Sequence, residues 1–69
     1  MSYNQRKVLR ALRKRGVSVV REGGGHTVLR STAGQQSTLP RHTNLDRHTV
    51  RGVVKQLGLE WDDVRKDLR

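Results

Sequence analysis

Three consecutive glycines, Gly23-Gly24-Gly25, separate two short β-branched segments, residues 17–22 and residues 26–31. Glycine adopts positive φ without steric penalty, so such a run between strand-forming segments predicts a tight hairpin turn. A second turn signal, Ala33-Gly34-Gln35, leads into a third strand over residues 36–39, which Pro40 ends. Three strands joined by turns this short form an antiparallel meander. With 69 residues in all, the chain has length for one small domain, expected to span residues 1–69.

Helical signals bracket the meander. Ser2 and Gln5 read as a capping box, and Val8, Leu9, Ala11 and Leu12 form one apolar stripe. Gly16 follows a basic last turn, so the spacing predicts a helix over residues 3–15. Residues 41–45 read as a loop, after which Asp46 is a suitable N-cap for a second helix running to about residue 57. Val50, Val53, Val54 and Leu57 make its core face, Gly58 closes it, and residues 59–68, with Trp61 and Val64, predict a short final helix. The expected fold class is α+β: an α-β-β-β-α two-layer domain with a helical tail, both helices on one face of the sheet. The other face is left open. The same order of elements occurs in double-stranded RNA-binding domains. With Leu29 turned to the core, alternation places His26, Val28 and Arg30 on the open face.

Charge narrows the function. Fifteen Lys and Arg against six Asp and Glu give a net +9, and eleven of the fifteen are Arg. Residues 1–55 carry twelve of these cations and two of the acids, so the excess lies ahead of the last helix. A field of this sign attracts a polyanion, and arginine favours two-pronged phosphate contacts. No apolar run approaches the roughly 20 residues of a membrane span, no secretory signal core follows Met1, and there is no cysteine. These features predict a soluble cytoplasmic protein with no disulfide and no membrane partner. His26, His42 and His48 lack zinc-ligand spacing, and neither a nucleophile-elbow serine nor a nucleotide-binding Gly-Lys-Ser/Thr is present, so no metal or cofactor is expected. With Tyr3 and Trp61 the only aromatics, base stacking is not the main recognition mode.

His26 is the candidate reactive group. It opens a strand directly after the glycines, where nothing crowds it and where the amides of Gly24 and Gly25 can approach a phosphate. An exposed imidazole among arginines suits acid–base work on RNA, taking a proton from a 2′-hydroxyl or giving one to the leaving 5′-oxygen. Arg21 and Arg30 flank it as candidate phosphate contacts, Arg41 and His42 follow Pro40, and Arg47 and Arg51 sit on the polar side of the second helix. Two other classes fit the same charge: a non-catalytic RNA-binding module, and a small DNA-binding protein. The second lacks a helix-turn-helix pattern.

The run Arg21-Glu22-Gly23-Gly24-Gly25-His26-Thr27-Val28, followed by Leu39-Pro40-Arg41-His42, Leu45 and the stretch from Thr49 through Gly58-Leu59, resembles the HicA toxins of HicA–HicB toxin–antitoxin systems. The resemblance covers nearly the whole chain. It implies a fold like double-stranded RNA-binding domains, a ribosome-independent endoribonuclease activity on mRNA, and a HicB-type antitoxin that covers the active face. It also implies that His26 is the catalytic residue. The family's usual Gly-Ser-His is Gly24-Gly25-His26 here, so the serine hydroxyl is absent.

Overall fold

The computed structural model describes residues 2–68, and the ends of the expected 1–69 domain, Met1 and Arg69, lie outside the described residues. The elements run β1 (Ser2–Asn4), α1 (Gln5–Arg13), β2 (Ser18–Gly23), β3 (His26–Arg30), β4 (Gln36–Pro40), β5 (Asn44–Asp46), α2 (Arg47–Gln56) and α3 (Trp61–Arg65), with a 3-10 turn at Lys66–Leu68. The α-β-β-β-α order is that expected, with α1 and α2 covering the β2-β3-β4 meander. β3 is the central strand and both its pairings are antiparallel. Pro40 is the last residue of β4 rather than a residue beyond it, which an edge strand permits because one side of its backbone needs no partner.

The apolar stripes meet in a single core. Val8, Ala11 and Leu12 of α1, Val50, Val53 and Val54 of α2, and Leu29 and Leu39 of the sheet are all buried, with Leu57, Val64 and Leu68 joining them. Burying each Val or Leu contributes about 1.5–3 kcal/mol before conformational entropy is subtracted. Within β3, Thr27 and Leu29 face inward while His26 and Arg30 are exposed, so the register is the one alternation predicts. At the back of the sheet the Ser37 hydroxyl donates to Gln56 Oε1, tying β4 to the end of α2.

The chain starts differently from the expected capping box. Residues 2–4 are not helical: they form β1, paired antiparallel with β5 through Ser2↔Asp46, Tyr3↔Leu45 and Asn4↔Asn44. Asn4 is the N-cap of α1, its side chain accepting from the Arg6 amide at 2.9 Å. Asp46 caps α2 as expected, accepting from the His48 amide at 2.9 Å. Part of the expected 41–45 loop is therefore strand, and this second small sheet places the starts of α1 and α2 together.

Both helices stop on a glycine with positive φ, Gly16 at 83° and Gly58 at 76°. Both abut the β3–β4 turn: a Cβ on Gly16 would lie 2.6 Å from Thr32 Cγ2, and one on Gly58 would lie 2.1 Å from Gln35 Oε1. Beyond Gly58, α3 and its 3-10 turn fold back on α1. Arg15 Nε bonds Asp63 Oδ2 at 2.8 Å, Arg15 Nη1 bonds Asp67 Oδ2 at 2.9 Å, and Lys14 Nζ lies 3.4 Å from the same Asp67 oxygen. Arg15 also donates to the carbonyls of Ala11 and Asp63. Trp61 meets Tyr3 edge-on with ring centroids 6.0 Å apart.

Candidate nucleic-acid interface

The β2–β3 hairpin closes through Gly24 and Gly25, with φ of 57° and 84°. Two successive positive-φ residues are the signature of a type I′ turn, whose twist matches that of the flanking strands. Gly23 is not part of the turn; it ends β2 and pairs with His26, which in turn pairs with Pro40 on β4. Directly opposed residues in an antiparallel sheet share a face. His26 therefore lies between a residue with no side chain and the proline ring, exposed on the open face. No atom would lie within 4 Å of a Cβ built on Gly23, Gly24 or Gly25, so the space around the turn is clear.

The hairpin register sets what stands beside the imidazole. The β2–β3 register shifts between Val19 and Arg21, so Val19 opposes Leu29 and Arg21 opposes Val28. Val28 alternates with the inward Thr27 and Leu29, so Arg21 shares the open face with His26. This register runs unbroken from the turn, Gly23↔His26, Glu22↔Thr27 and Arg21↔Val28, and the shift beyond Arg21 brings Val19 rather than Val20 opposite the buried Leu29. Val20, the extra residue, is 51% exposed as a consequence. Bulges cannot be read from a single strand's alternation, and this one is the site feature that the sequence did not signal.

Arg30 stands at the other end of β3 on the same face, where its Nη2 donates to Gln36 Oε1 at 2.8 Å. Arg41 adjoins the glycine turn from the opposite side, its amide donating to the Gly25 carbonyl at 2.9 Å. His42 follows it, exposed. Arg47 and Arg51 belong elsewhere. They are exposed on α2, whose Val50, Val53 and Val54 face the sheet, so they lie in the helical layer and not on the open face. The predicted set thus divides: Arg21, Gly24, Gly25 and His26 lie together, with Arg41 bonded to the turn through its amide and His42 next in sequence, Arg30 shares their face at the far end of β3, and Arg47 and Arg51 do not join them.

The electrostatics follow the same division. Among the described residues, the ion pairs join Lys14, Arg15 and Arg65 to Asp62, Asp63 and Asp67 of the tail. Hydrogen bonding to Arg15 holds the Asp63 carboxyl below the ordinary range, and Arg15 followed by Lys14 does the same for Asp67. None of these pairs engages Arg21, Arg30 or Arg41, so among the described residues no ion pair offsets the cations on the face of His26. No three His, Asp or Glu among the described residues converge on a point that could hold a metal ion. None of the described helices is long and apolar enough to cross a membrane.

Comparison with known proteins gives one match and one blank. The family model described as HicA toxin of bacterial toxin-antitoxin matches residues 6–59, which takes in α1, the meander, β5 and α2. No individual curated protein matches the chain.

Proposed function

Because the chain belongs to the HicA toxin family of bacterial toxin–antitoxin systems, we propose that it is an endoribonuclease that cuts mRNA in the cytoplasm with His26 as the acid–base group. The observation that carries this reading is the setting of His26: exposed beside a bare glycine turn, on a sheet face that also presents Arg21 and Arg30. A ribose-phosphate backbone laid on this face brings a 2′-hydroxyl to the imidazole. His26 takes the hydroxyl proton as the 2′-oxygen attacks phosphorus, or protonates the departing 5′-oxygen. Arg21 lies on the same face to stabilise charge that develops on the phosphoryl oxygens, and Arg30, at the far end of β3, holds the backbone further along. The amides at Gly24 and Gly25 and the guanidinium of Arg41, whose backbone amide bonds the Gly25 carbonyl, hold a neighbouring phosphate in this reading. His42 is a second proton carrier by position, two residues beyond the proline paired with His26. Arg47 and Arg51 hold RNA from the helical layer.

The whole of residues 1–69 acts as one HicA-like unit in this reading, and its regulator is a HicB-type antitoxin whose carboxylates complement the cationic face. Incubating the protein with a long single-stranded RNA in EDTA tests the reading. Native protein fragments the RNA, and His26→Ala lowers the rate by about 10²–10⁴-fold, the usual contribution of a positioned general acid or base. A gel-shift control at low salt establishes that both proteins bind equally. Intact RNA with both proteins bound would leave a non-catalytic RNA-binding module. Cleavage abolished by EDTA and restored by a divalent ion would remove the metal-independent mechanism.

A further inference from the structure

The outward side of α1 is a shallow groove lined by Arg6, Leu9, Arg10, Arg13 and Lys14. Arg6, Arg10 and Lys14 follow one another at i,i+4, a spacing at which like charges repel. α1 contains no acidic residue to offset them, and Arg6 stands in the first turn, where the helix dipole disfavours a cation. No ion pair among the described residues reaches Arg6, Arg10 or Arg13; on this side of the molecule the tail carboxylates engage Lys14 and Arg15 at the far end of the helix. The fold therefore carries a row of mutually repelling charges of which, among the described residues, Lys14 has a carboxylate partner and Arg6, Arg10 and Arg13 have no ion pair.

The groove leads to His26. Arg6 also lines a second, smaller hollow with Asn4, Gln5 and Thr43. Gln5 joins this hollow to the sheet: its amide donates to the Thr43 carbonyl at 2.9 Å and its side-chain amide to the Pro40 carbonyl at 3.4 Å. Pro40 pairs with His26, and the next residue, Arg41, bonds the glycine turn. Cations on α1, the hollow at Arg6, and the Pro40–Arg41 corner form one path from the helical layer round to the reactive face.

We propose that the α1 groove is a docking track for the ribose-phosphate backbone, delivering a single RNA strand to His26 from the helical side. This rests on the nuclease reading and extends it to how the substrate is held. Residues 6–14 span about 12 Å along the helix axis, long enough for the row of cations to meet more than one backbone phosphate. Arginine supplies three of the four cations, and no aromatic lines the groove, so the contact is with phosphate and not with bases. RNA too short to reach α1 is cleaved without its help.

The test compares native protein with the double variant Arg10→Gln/Arg13→Gln on two substrates, a long single-stranded RNA and a trinucleotide. Losing two phosphate contacts raises KM for the long RNA about tenfold with kcat unchanged, and leaves the trinucleotide kcat/KM as it was. In a His26→Ala background, which separates binding from cleavage, the salt dependence of long-RNA affinity falls by about 1.4 in logarithmic slope, at about 0.7 per phosphate on a single strand. Unaltered far-ultraviolet circular dichroism shows that the double variant is folded. Equal affinity of the two proteins for long RNA, or equal effects on both substrates, overturns the proposal. A native chain that binds long RNA through α1 and never cuts it would end the nuclease reading and leave the track standing.

Discussion

Thr27 is the inward neighbour of His26 on the central strand, fully buried, and its hydroxyl has no hydrogen-bond partner. Its backbone is paired on both sides, with Glu22 and with Leu39, so only the Oγ1 is unsatisfied. A buried polar group in that state is destabilising by about 1–3 kcal/mol. Thr27→Val exchanges the hydroxyl for a methyl at nearly constant shape and keeps a β-branched residue in the strand. It should therefore stabilise the fold by about 1–3 kcal/mol, and in a domain of this size each kcal/mol raises Tm by about 4–8 °C. Thr27→Ser retains the hydroxyl and removes a methyl, so it should destabilise by about 0.8 kcal/mol. Urea unfolding reads both effects, as shifts in midpoint with an unchanged m value. Because the side chain points away from the open face, RNA cleavage by Thr27→Val should equal that of the native protein. Loss of stability in Thr27→Val would refute the reasoning and show that the hydroxyl is satisfied in solution.

The Arg15 clamp predicts a dependence on acid. The folded-state pKa values of Asp63 and Asp67 are lowered, so their contribution is present above the ordinary aspartate range and is lost as pH falls through the lowered values. Thermal unfolding from pH 6 down to pH 2 should show Tm falling most steeply below about pH 4, and Asp63→Asn with Asp67→Asn should flatten that fall. Gly16→Ala and Gly58→Ala each force an alanine to positive φ, worth about 1–2 kcal/mol. Gly16→Ala should be the worse of the two by denaturant titration, since its Cβ meets the short, branched Thr32 whereas Gln35 can swing aside. At Gly25, also at positive φ but with open space around it, Ala and Ser should lower stability equally. Gly25→Ser, which restores the serine usual in the family, should cleave RNA no faster than Gly25→Ala if the proposed role of His26 needs no neighbouring hydroxyl; a faster Gly25→Ser would assign the hydroxyl a role.

The legible parts of this chain were those whose signal lies within one element. The α2 stripe, its Asp46 cap, both helix-stopping glycines and the inward direction of Leu29 all follow from local spacing. What escaped depended on partners distant in sequence. Residues 2–4 are too short to show alternation, and they become β1 only because residues 44–46 lie opposite. The Arg21 position has the same character. Its face is decided by the pairing with Val28 that the two-residue turn at Gly24-Gly25 imposes, and the bulge at Val20 then exposes Val20 and turns Val19 toward Leu29. Likewise the acidic composition of residues 60–68 was visible in the sequence, but not that Arg15 is the cation those carboxylates hold.

The long axis of β3 separates two kinds of glycine and two states of charge. At its C-terminal end, Gly16 and Gly58 are wedged against the β3–β4 turn, and the tail carboxylates close on Lys14 and Arg15. At its N-terminal end, a Cβ on Gly23, Gly24 or Gly25 would meet open space, and neither Arg21 nor Arg41 has an acid in any of the ion pairs among the described residues. The chain has six acidic residues, and three of them take part in those pairs, all in the tail. In the proposed reading, the phosphates of RNA and the carboxylates of an antitoxin compete for the cations at the His26 end. Inhibition then needs only a carboxylate-bearing surface that fits this end, without any change of conformation in the chain.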